Sequence, residues 1–216
     1  MKFISFRRYW LDKFLSESDF NGKVLDVGGI KKGKRGEFRP PMSNVDSWEY
    51  LNISDDTLPD YLCSSEAIPT HDNTFDVVLI AEIIEHLECP EKTLKESLRV
   101  LKAGGKLIAT IPFLYPVHAD PFDFQRWTPE KITMEFDKVG FDEVKIEYMG
   151  GFFSVLYDIW YVFLNDGNCR WVFFRKILRK CILPLFIILH LILDKFFAPI
   201  NKKITTGFYA TAIKKL

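Results

Sequence analysis

The stretch KVLDVGG, Lys23–Gly29, decides the fold of this chain. Apolar residues on both sides of Asp26 indicate a strand buried in a parallel sheet, and the glycine pair after Val27 indicates a tight turn. Open α/β folds bind their ligands at the carboxyl ends of parallel strands, where a turn of this kind brings bare backbone close to the ligand. We therefore expect Asp26, Gly28 and Gly29 to lie at the ligand-binding edge of such a sheet.

The rest of the chain keeps the same alternation of strands and helices. Further strands are predicted at 48–53, 61–63, 75–80, 107–111, 144–148 and 206–213. Helices are predicted at 4–17, at 90–101 with Gly104 and Gly105 as its end, and from Thr128–Glu130 to Gly140. Strands that alternate with helices build a right-handed parallel α/β sheet.

Length and charge limit the function classes. With 216 residues, 48% of them hydrophobic, the chain can bury one sizeable core. The net charge is zero, but residues 1–149 hold 19 Lys and Arg against 26 Asp and Glu, whereas residues 150–216 hold 10 against 3. An acidic body does not suit a phosphate backbone, so no nucleic-acid partner is expected.

The N-terminal segment and the cysteines indicate the compartment. Residues 4–17 read as an amphipathic helix with Arg7, Arg8, Asp12 and Lys13 on its polar side, and these charges exclude the apolar run of a signal peptide. The cysteines show neither metal-ligand nor redox spacing: Cys63, Cys89, Cys169 and Cys181. A reduced, cytoplasmic location without a metal site is expected.

The segment 151–200 differs in kind from the rest. It is rich in apolar and aromatic residues, and its uncharged run Cys181–Leu193 is shorter than the roughly 20 residues that a spanning helix needs. The basic residues before that run favour a helical hairpin in the interface of one membrane leaflet. A buried helical cap or a dimer interface is the alternative, so an oligomer stays open. The predicted units are a core at 1–150, the hairpin at 151–200 and a returning strand at 201–216.

These motifs resemble the class I S-adenosylmethionine-dependent methyltransferases of the small type 11 kind. The resemblance extends over about Val24 to Tyr148 and again over the last strand, and Arg99–Gly105 looks like the family's helix-to-strand-five signature. It implies a Rossmann-like sheet of seven strands, mostly parallel with an antiparallel last strand, to which the apolar helical segment is added. It also implies S-adenosylmethionine as the cofactor.

The resemblance assigns roles to residues at the predicted strand ends. It implies that Asp26, Gly28 and Gly29 hold the methionine part of the cofactor, and that Glu82 faces the cofactor. Asn52 stands where the family has an acid for the ribose hydroxyls, and Ser64, followed by Ser65 and Glu66, stands where an acid meets the adenine amino group. Both departures remove charge assistance from a hydrogen bond to the cofactor.

The loop Pro112–Thr128 supplies the candidate catalytic residues. If the acceptor is a hydroxyl, His118 is the best candidate base, because an unperturbed imidazole titrates near neutrality. Asp120 or Asp123 could orient it, and Arg126 could hold a phosphate or carboxylate of the substrate. The structural alternatives are a hydrogen-bonding role for His118 and an ion pair for Arg126.

Three hypotheses follow. The first is a methyltransferase, peripheral on the inner face of the cell membrane, that modifies a small-molecule acceptor such as a hydroxyl of a cell-surface glycan or lipid-linked intermediate, because relatives with a similar loop and hydrophobic hairpin are associated with such pathways. The second is a catalytically inactive relative that serves as a binding or scaffold protein at the membrane. A nicotinamide-dependent Rossmann enzyme is disfavoured, because no G-x-G-x-x-G follows the first strand.

Overall fold

The computed structural model describes residues 5–33, 36–118, 121–165 and 203–216, together with 187, 189, 192–194 and 196. Its strands are β1 (Gly22–Val27), β2 (Val45–Asn52), β3 (Tyr61–Leu62), β4 (Phe75–Ala81), β5 (Leu101–Pro112), β6 (Phe141–Met149) and β7 (Gly207–Lys214). Its α-helices are α1 (Phe6–Glu17), α2 (Pro90–Val100), α3 (Pro129–Val139) and α4 (Phe152–Asn165). Single 3-10 turns lie at Asp55–Thr57 and Ile84–His86.

All seven strands belong to one sheet in the order β3-β2-β1-β4-β5-β7-β6. The pairs from β3 to β5 are parallel, and β7 runs antiparallel to both β5 and β6. The predicted fold class, a Rossmann-like mixed sheet with an antiparallel last strand, is confirmed. Its strand order reverses between β1 and β4, and the carboxyl edge at such a switch point is where open α/β sheets bind ligands.

The two faces of the sheet are covered by different helices. Leu25 and Val27 of β1 belong to the cluster that packs against α2 and α3, and Val24 belongs to the cluster that packs against α1. All three side chains are at most 1% exposed. This burial explains the apolar run on which the strand prediction rested.

The glycine pair Gly104 and Gly105 does not end a helix, so this prediction is wrong. Helix α2 ends at Val100, because Leu101 is already extended and pairs with Phe75 of β4. The glycines lie within β5, where the pairing with β4 changes register, and Gly104 has a φ of +74°. They form an irregularity in a strand, which glycine permits as readily as it permits a helix end.

Most of the predicted apolar hairpin lies outside the described residues. Its first part is α4, and a contact across the segment involves Asp194, whose carboxylate accepts backbone hydrogen bonds from Gly151, Phe153 and Ser154 at 2.8–3.2 Å. A carboxylate at this position satisfies free N–H groups at the start of α4. Among the residues described, no helix has the length and apolar character to cross a membrane.

Candidate active site

The turn after β1 requires glycine at two successive positions. Gly28 has a φ of +76°, and a Cβ added there would lie 2.2 Å from Cδ1 of Ile83. A Cβ on Gly29 would lie 2.4 Å from the carboxyl carbon of Asp26. Both distances are far shorter than a real contact. At Gly28 the contact is the end of the flexible Ile83 side chain, so the positive φ is the stronger reason for glycine, whereas at Gly29 the Asp26 carboxyl would have to move. The turn also accounts for Asp26, which is buried beneath it and accepts a hydrogen bond from Nε1 of Trp48 at 3.2 Å.

Asn52, at the end of β2, holds this turn from the side. Its Nδ2 donates to the carbonyl oxygens of Gly28 and Gly29, both at 3.1 Å, and its Oδ1 accepts from the backbone N–H of Ser54 at 3.0 Å. A carboxylate could not donate to the two carbonyls. The structure therefore gives a physical reason for an amide at this position, while the role of Asn52 toward a ribose stays a prediction.

Each of the three residues predicted to bind the adenine has a partner within the protein. The hydroxyl of Ser65 is buried and lies 2.8 Å from Oγ1 of Thr93 on α2. The Oγ of Ser64 accepts a hydrogen bond from the backbone N–H of Glu66, and the Glu66 carboxylate pairs with Lys92 at 3.2 Å. Ser65 is thus engaged in helix packing, and any contact of Ser64 or Glu66 with a cofactor stays a prediction.

Glu82, directly after β4, pairs with Arg7, which the sequence analysis assigned to the polar side of the N-terminal helix. Its carboxylate forms an ion pair with Arg7, and the two side chains are 9% and 11% exposed. The Arg7 guanidinium also lies over the ring of Tyr115, 4.1 Å from the centroid, and 3.2 Å from Nε2 of His118. Arg7 was expected on the polar side of the amphipathic helix, and its side chain is largely buried, because the first turn of α1 points into the edge formed by β4 and the loop after β5.

A buried carboxylate from α4 fixes that first turn. Asp158 accepts hydrogen bonds from the backbone N–H groups of Phe6 and Arg7 at 2.5 and 2.8 Å, and it has no exposed surface. Burial raises the pKa of this carboxyl to about 7. Asp158 thereby positions the helix that brings Arg7 to Glu82. Sequence analysis missed it because a single Asp within an apolar helix carries no recognisable spacing.

The Ile84–His86 turn after β4 contains a second carboxylate, Glu85, with no exposed surface. In the described part of the chain neither of its oxygens has a hydrogen-bond partner from another residue. Burial, and then the nearby Glu82, raise the pKa of Glu85 to about 8. Its neighbour His86 stands at the surface of the turn, with a side chain 14% exposed. In the sequence, the pair Glu85-His86 next to apolar residues was the feature that could have drawn attention to Glu85.

The loop after β5 brings His118 to the same place. Its backbone N–H donates to Oδ2 of Asp123 at 2.9 Å, and its Nδ1 lies 3.2 Å from the carbonyl oxygen of Pro116. Burial, and then the charge of Arg7, lower the pKa of the His118 imidazole. Asp120 lies outside the described residues.

Arg126 forms the ion pair that was one of its two predicted roles. Both of its terminal nitrogens contact the Asp123 carboxylate, Nη2 at 2.8 Å from Oδ2, and hydrogen bonding from Arg126 lowers the pKa of Asp123 to about 2. The pair stiffens the loop that presents His118. A role of Arg126 toward a substrate stays a prediction.

An apolar groove of about 540 Å³ lies beside this loop. It runs between the residues after β5 and the first turns of α4, and it is lined by Phe113, Leu114, Tyr115, Pro116, Phe152, Val155, Leu156, Ile159 and Ile204. Tyr115 connects the groove to the cluster around Glu82, because its ring contacts both Arg7 and His118. The edge of the sheet thus combines a glycine turn, a charged cluster and an apolar groove.

Comparison with known proteins finds similarity to methyltransferases over part of the chain. The family model described as a methyltransferase domain matches residues 45–109. The chain is 42% identical over 102 residues to a ubiquinone/menaquinone biosynthesis C-methyltransferase of Idiomarina loihiensis, a match that covers 47% of this chain and 34% of that protein. It is 31% identical over 90 residues to the mitochondrial 2-methoxy-6-polyprenyl-1,4-benzoquinol methylase of Caenorhabditis elegans, covering 42% and 26% of the two chains. The matched stretch thus spans only a quarter to a third of these relatives.

Solved structures share the fold at low sequence identity. A phosphoethanolamine N-methyltransferase 2 of Haemonchus contortus in complex with S-adenosyl-L-methionine is 18% identical with a TM-score of 0.56, and the alignment covers 99% of this chain and 54% of that one. The cyclase SpnF is also 18% identical, with a TM-score of 0.61 and coverage of 95% and 81%. The resemblance to methyltransferases that the sequence indicated is confirmed over the stretch matched by the family model and the relatives, and the solved structures confirm the fold.

Proposed function

From this resemblance to the class I S-adenosylmethionine-dependent methyltransferases, we propose that the chain binds S-adenosylmethionine at the carboxyl ends of β1 and β4 and methylates a hydroxyl of a lipid-linked or glycan acceptor. The glycine turn carries the proposal. At Gly28 and Gly29 a single added carbon would collide with neighbouring side chains, so the backbone is kept bare at the switch point of the sheet. The residues present fit a cofactor there, with Asp26 beneath the turn and Asn52 beside it.

The chemistry assigns different tasks to the two halves of the site. The bound cofactor supplies a methyl group on a positively charged sulfur, and the protein must align that group with the acceptor and exclude water. The neutral imidazole of His118 can accept the hydroxyl proton at Nε2, because its Nδ1 faces the carbonyl of Pro116. Asp123 and Arg126 hold the His118 loop in place.

The apolar groove favours an acceptor with a hydrocarbon chain. A groove with an almost wholly apolar lining would take a prenyl or acyl chain and leave the attached polar group near Tyr115 and His118. The names of two relatives above refer to quinone or polyprenyl-benzoquinol methylation, which is compatible with an apolar acceptor. The hydroxyl as the accepting atom belongs to this proposal alone.

Calorimetric titration of the full chain with S-adenosylmethionine tests the proposal. We expect one site per chain with a micromolar Kd and a similar or higher affinity for S-adenosylhomocysteine, which keeps the adenosine and amino acid groups. An absence of heat at millimolar cofactor would overturn it. Incubation with isotopically labelled cofactor and a short-chain polyprenyl phosphosugar then tests the acceptor class, and labelled product is expected only in the organic phase.

We also propose a peripheral position on the inner face of the cell membrane. Four large apolar side chains of α4 are 45–56% exposed: Phe152, Ile159, Trp160 and Phe163. Exposed aromatic residues near a basic segment suit the interface of an anionic bilayer.

Vesicle sedimentation tests this position. The full chain should sediment with vesicles of phosphatidylglycerol and phosphatidylethanolamine, and Trp160→Ser with Phe163→Ser should reduce the bound fraction several-fold. The matched control is Met134→Ser on α3, which removes an equally exposed apolar side chain on another helix. Full-length protein that stays in the supernatant would contradict the proposal.

Two contacts favour a second candidate, a non-catalytic relative at the membrane. The polar atoms of Asn52 are all engaged by the protein's own backbone, and Glu82 is paired with Arg7. In an inactive protein these contacts would persist with the cofactor in solution. The same calorimetric titration separates the two candidates, because only the enzyme requires a cofactor site.

A further inference from the structure

Three potential metal ligands converge below the Ile84–His86 turn. Nε2 of His86 lies 3.7 Å from Oε1 of Glu85, and Nε2 of His118 lies 3.8 Å from the same oxygen. The three ligand atoms all lie within 4.8 Å of one another. Two ligands of one transition-metal ion, each about 2.1 Å from it, are roughly 3–4 Å apart, so only a small closure separates this arrangement from a coordination sphere.

Both histidines present the correct nitrogen. A carbonyl oxygen can only accept, so Nδ1 of His86, 2.5 Å from the Phe122 carbonyl, carries the proton, and Nδ1 of His118 does the same toward Pro116. In the neutral form of each ring, Nε2 is therefore the nitrogen without a proton, and it faces Glu85. Metal-bound histidines are commonly oriented in this way by a backbone carbonyl.

The carboxylate of Glu85 is the independent sign of a ligand. It has no exposed surface, and in the described chain no other residue donates a hydrogen bond to either oxygen. A buried carboxylate is normally paired or bound to a metal. The loop closes over it, because the backbone N–H of Phe124 donates to the Glu85 carbonyl at 2.8 Å and Nε2 of Gln125 donates to the carbonyls of the same turn.

We propose that Glu85, His86 and His118 form a two-histidine, one-carboxylate site for a divalent first-row transition-metal ion, such as Zn²⁺ or Mn²⁺. This ligand set is typical of such ions. The Arg7 guanidinium lies 3.2 Å from Nε2 of His118, and ion binding would displace it toward Glu82 and Tyr115, which it already contacts. The sequence predicted no metal site, because that prediction rested on cysteine spacing.

The site deepens the proposed function, on which this role rests. In the metal-bound form Nε2 of His118 is a ligand and not a base. A bound ion would lower the pKa of an acceptor hydroxyl that it ligates, and that hydroxyl proton would pass to solvent. Binding of the ion itself requires no methyl transfer and is tested separately.

Titration of the metal-free full chain with Co²⁺, followed by visible absorption, tests the inference. We expect one equivalent per chain with d–d bands of a site that contains imidazole. Glu85→Gln and His118→Gln should each weaken binding at least 10- to 100-fold, a loss that even second-sphere partners of ligands can cause. The matched control is His71→Gln, an exposed histidine outside the cluster, and it should keep the full spectrum.

Circular dichroism verifies the fold of each variant. If Glu85→Gln does not fold, the cobalt titration of His118→Gln, at a partly exposed residue, makes the same test. Absence of a cobalt spectrum, or an equal effect of the His71 variant, would overturn the inference. Calorimetry of the same metal-free chain keeps the two proposals apart. Cofactor binding without a cobalt site would sink the metal inference alone, and a cobalt site without cofactor binding would sink the enzyme proposal alone.

Discussion

Asn52 shows how one amide can replace an acid at the residue scale. Its Nδ2 donates to two carbonyl oxygens of the turn at Gly28 and Gly29, and its Oδ1 holds Ser54. An aspartate would place a negative charge against two carbonyl oxygens and would leave both without their donor. The departure from the family's acid is therefore part of how this turn is held.

The substitution Asn52→Asp tests that interpretation. It restores the family's acid, yet we expect the affinity for S-adenosylmethionine to fall about 10-fold, because losing the side-chain donor costs on the order of 1–3 kcal/mol. Calorimetry measures the affinity and thermal unfolding measures stability. Tighter binding by the aspartate variant would show that the ribose hydroxyls, and not the turn, are the partner of this side chain.

Gly29→Ala tests the need for bare backbone after β1. The added carbon would meet the Asp26 carboxyl at 2.4 Å, so we expect a loss of cofactor affinity of at least 10-fold and a lower melting temperature. The control is Gly33→Ala: Gly33 has a φ of +73°, and no atom of the described residues lies within 4 Å of the added carbon. It should cost only the strain of its backbone, about 1 kcal/mol. Equal effects of the two variants would contradict the steric account.

At the scale of elements, the docking of α1 depends on two contacts made by carboxyl groups. Asp158 of α4 accepts from the first N–H groups of α1, and Arg7 of α1 reaches Glu82 after β4. The helix therefore ties the added helix α4 to the ligand edge of the sheet. A change at either contact should alter stability and the site together.

Removal of Arg7 should strongly lower the free energy of unfolding, and a second substitution at Glu82 should restore part of that loss. Arg7→Met leaves Glu82 charged and buried without its partner, and breaking such a pair typically costs about 3–5 kcal/mol of the free energy of unfolding. The double variant with Glu82→Gln should recover much of that loss, as measured by denaturant unfolding. Lys92→Met, which removes an exposed partner of Glu66, should leave stability unchanged. A double variant no more stable than the single one would contradict the ion pair.

Asp158 gives a pH dependence with a definite sign. The unfolded chain releases this proton near pH 4 and the folded chain near pH 7, so between these values the folded state binds more protons. The free energy of unfolding should therefore fall as pH rises through this window, relative to Asp158→Asn, by at most about 1.4 kcal/mol per pH unit. Paired denaturation curves from pH 4 to 8 measure the difference. If the free energy of unfolding, relative to that of Asp158→Asn, instead rose with pH, the pKa of Asp158 would be lowered in the folded state.

The predictable part of the fold is the part that local pattern determines. The apolar run from Val24 to Val27 is buried on both faces, and glycine is favoured at position 28 by a positive φ and at position 29 by the close approach of the Asp26 carboxyl. Arg7 could not be placed in this way, because its partner is Glu82, far away in the chain. Its burial depends on how α1 docks, which local periodicity does not encode.

In the candidate site, too, the sequence predicts which residue types are present, and the tertiary structure determines their contacts. The residue type at Glu85 was visible in the sequence. Only the folded structure shows that, among the described residues, no other residue donates a hydrogen bond to its carboxylate beneath the loop at Phe124. Ser65 carried a role by resemblance, whereas in the structure its hydroxyl faces Thr93. Side-chain direction is a tertiary property, and it decides which of the residues near a strand end can reach a ligand.

At the scale of the whole molecule, one sheet positions the groups that the proposed function requires. The switch point between β1 and β4 places the glycine turn beside Glu82, and the loop after β5 adds His118 and the wall of an apolar groove. The return of β7 between β5 and β6 attaches the end of the chain to the same sheet. Cofactor, acceptor and membrane contacts are thereby proposed on connected surfaces of one domain.

The measurement that tests the cofactor site most directly is a crystal structure of the full chain grown with S-adenosylhomocysteine. The account predicts density for the nucleoside and amino acid at the carboxyl ends of β1 and β4, in contact with the backbone of Gly28 and Gly29 and next to Glu82. Density at any other place, or an unchanged Arg7 to Glu82 pair with no ligand beside the glycine turn, would contradict it.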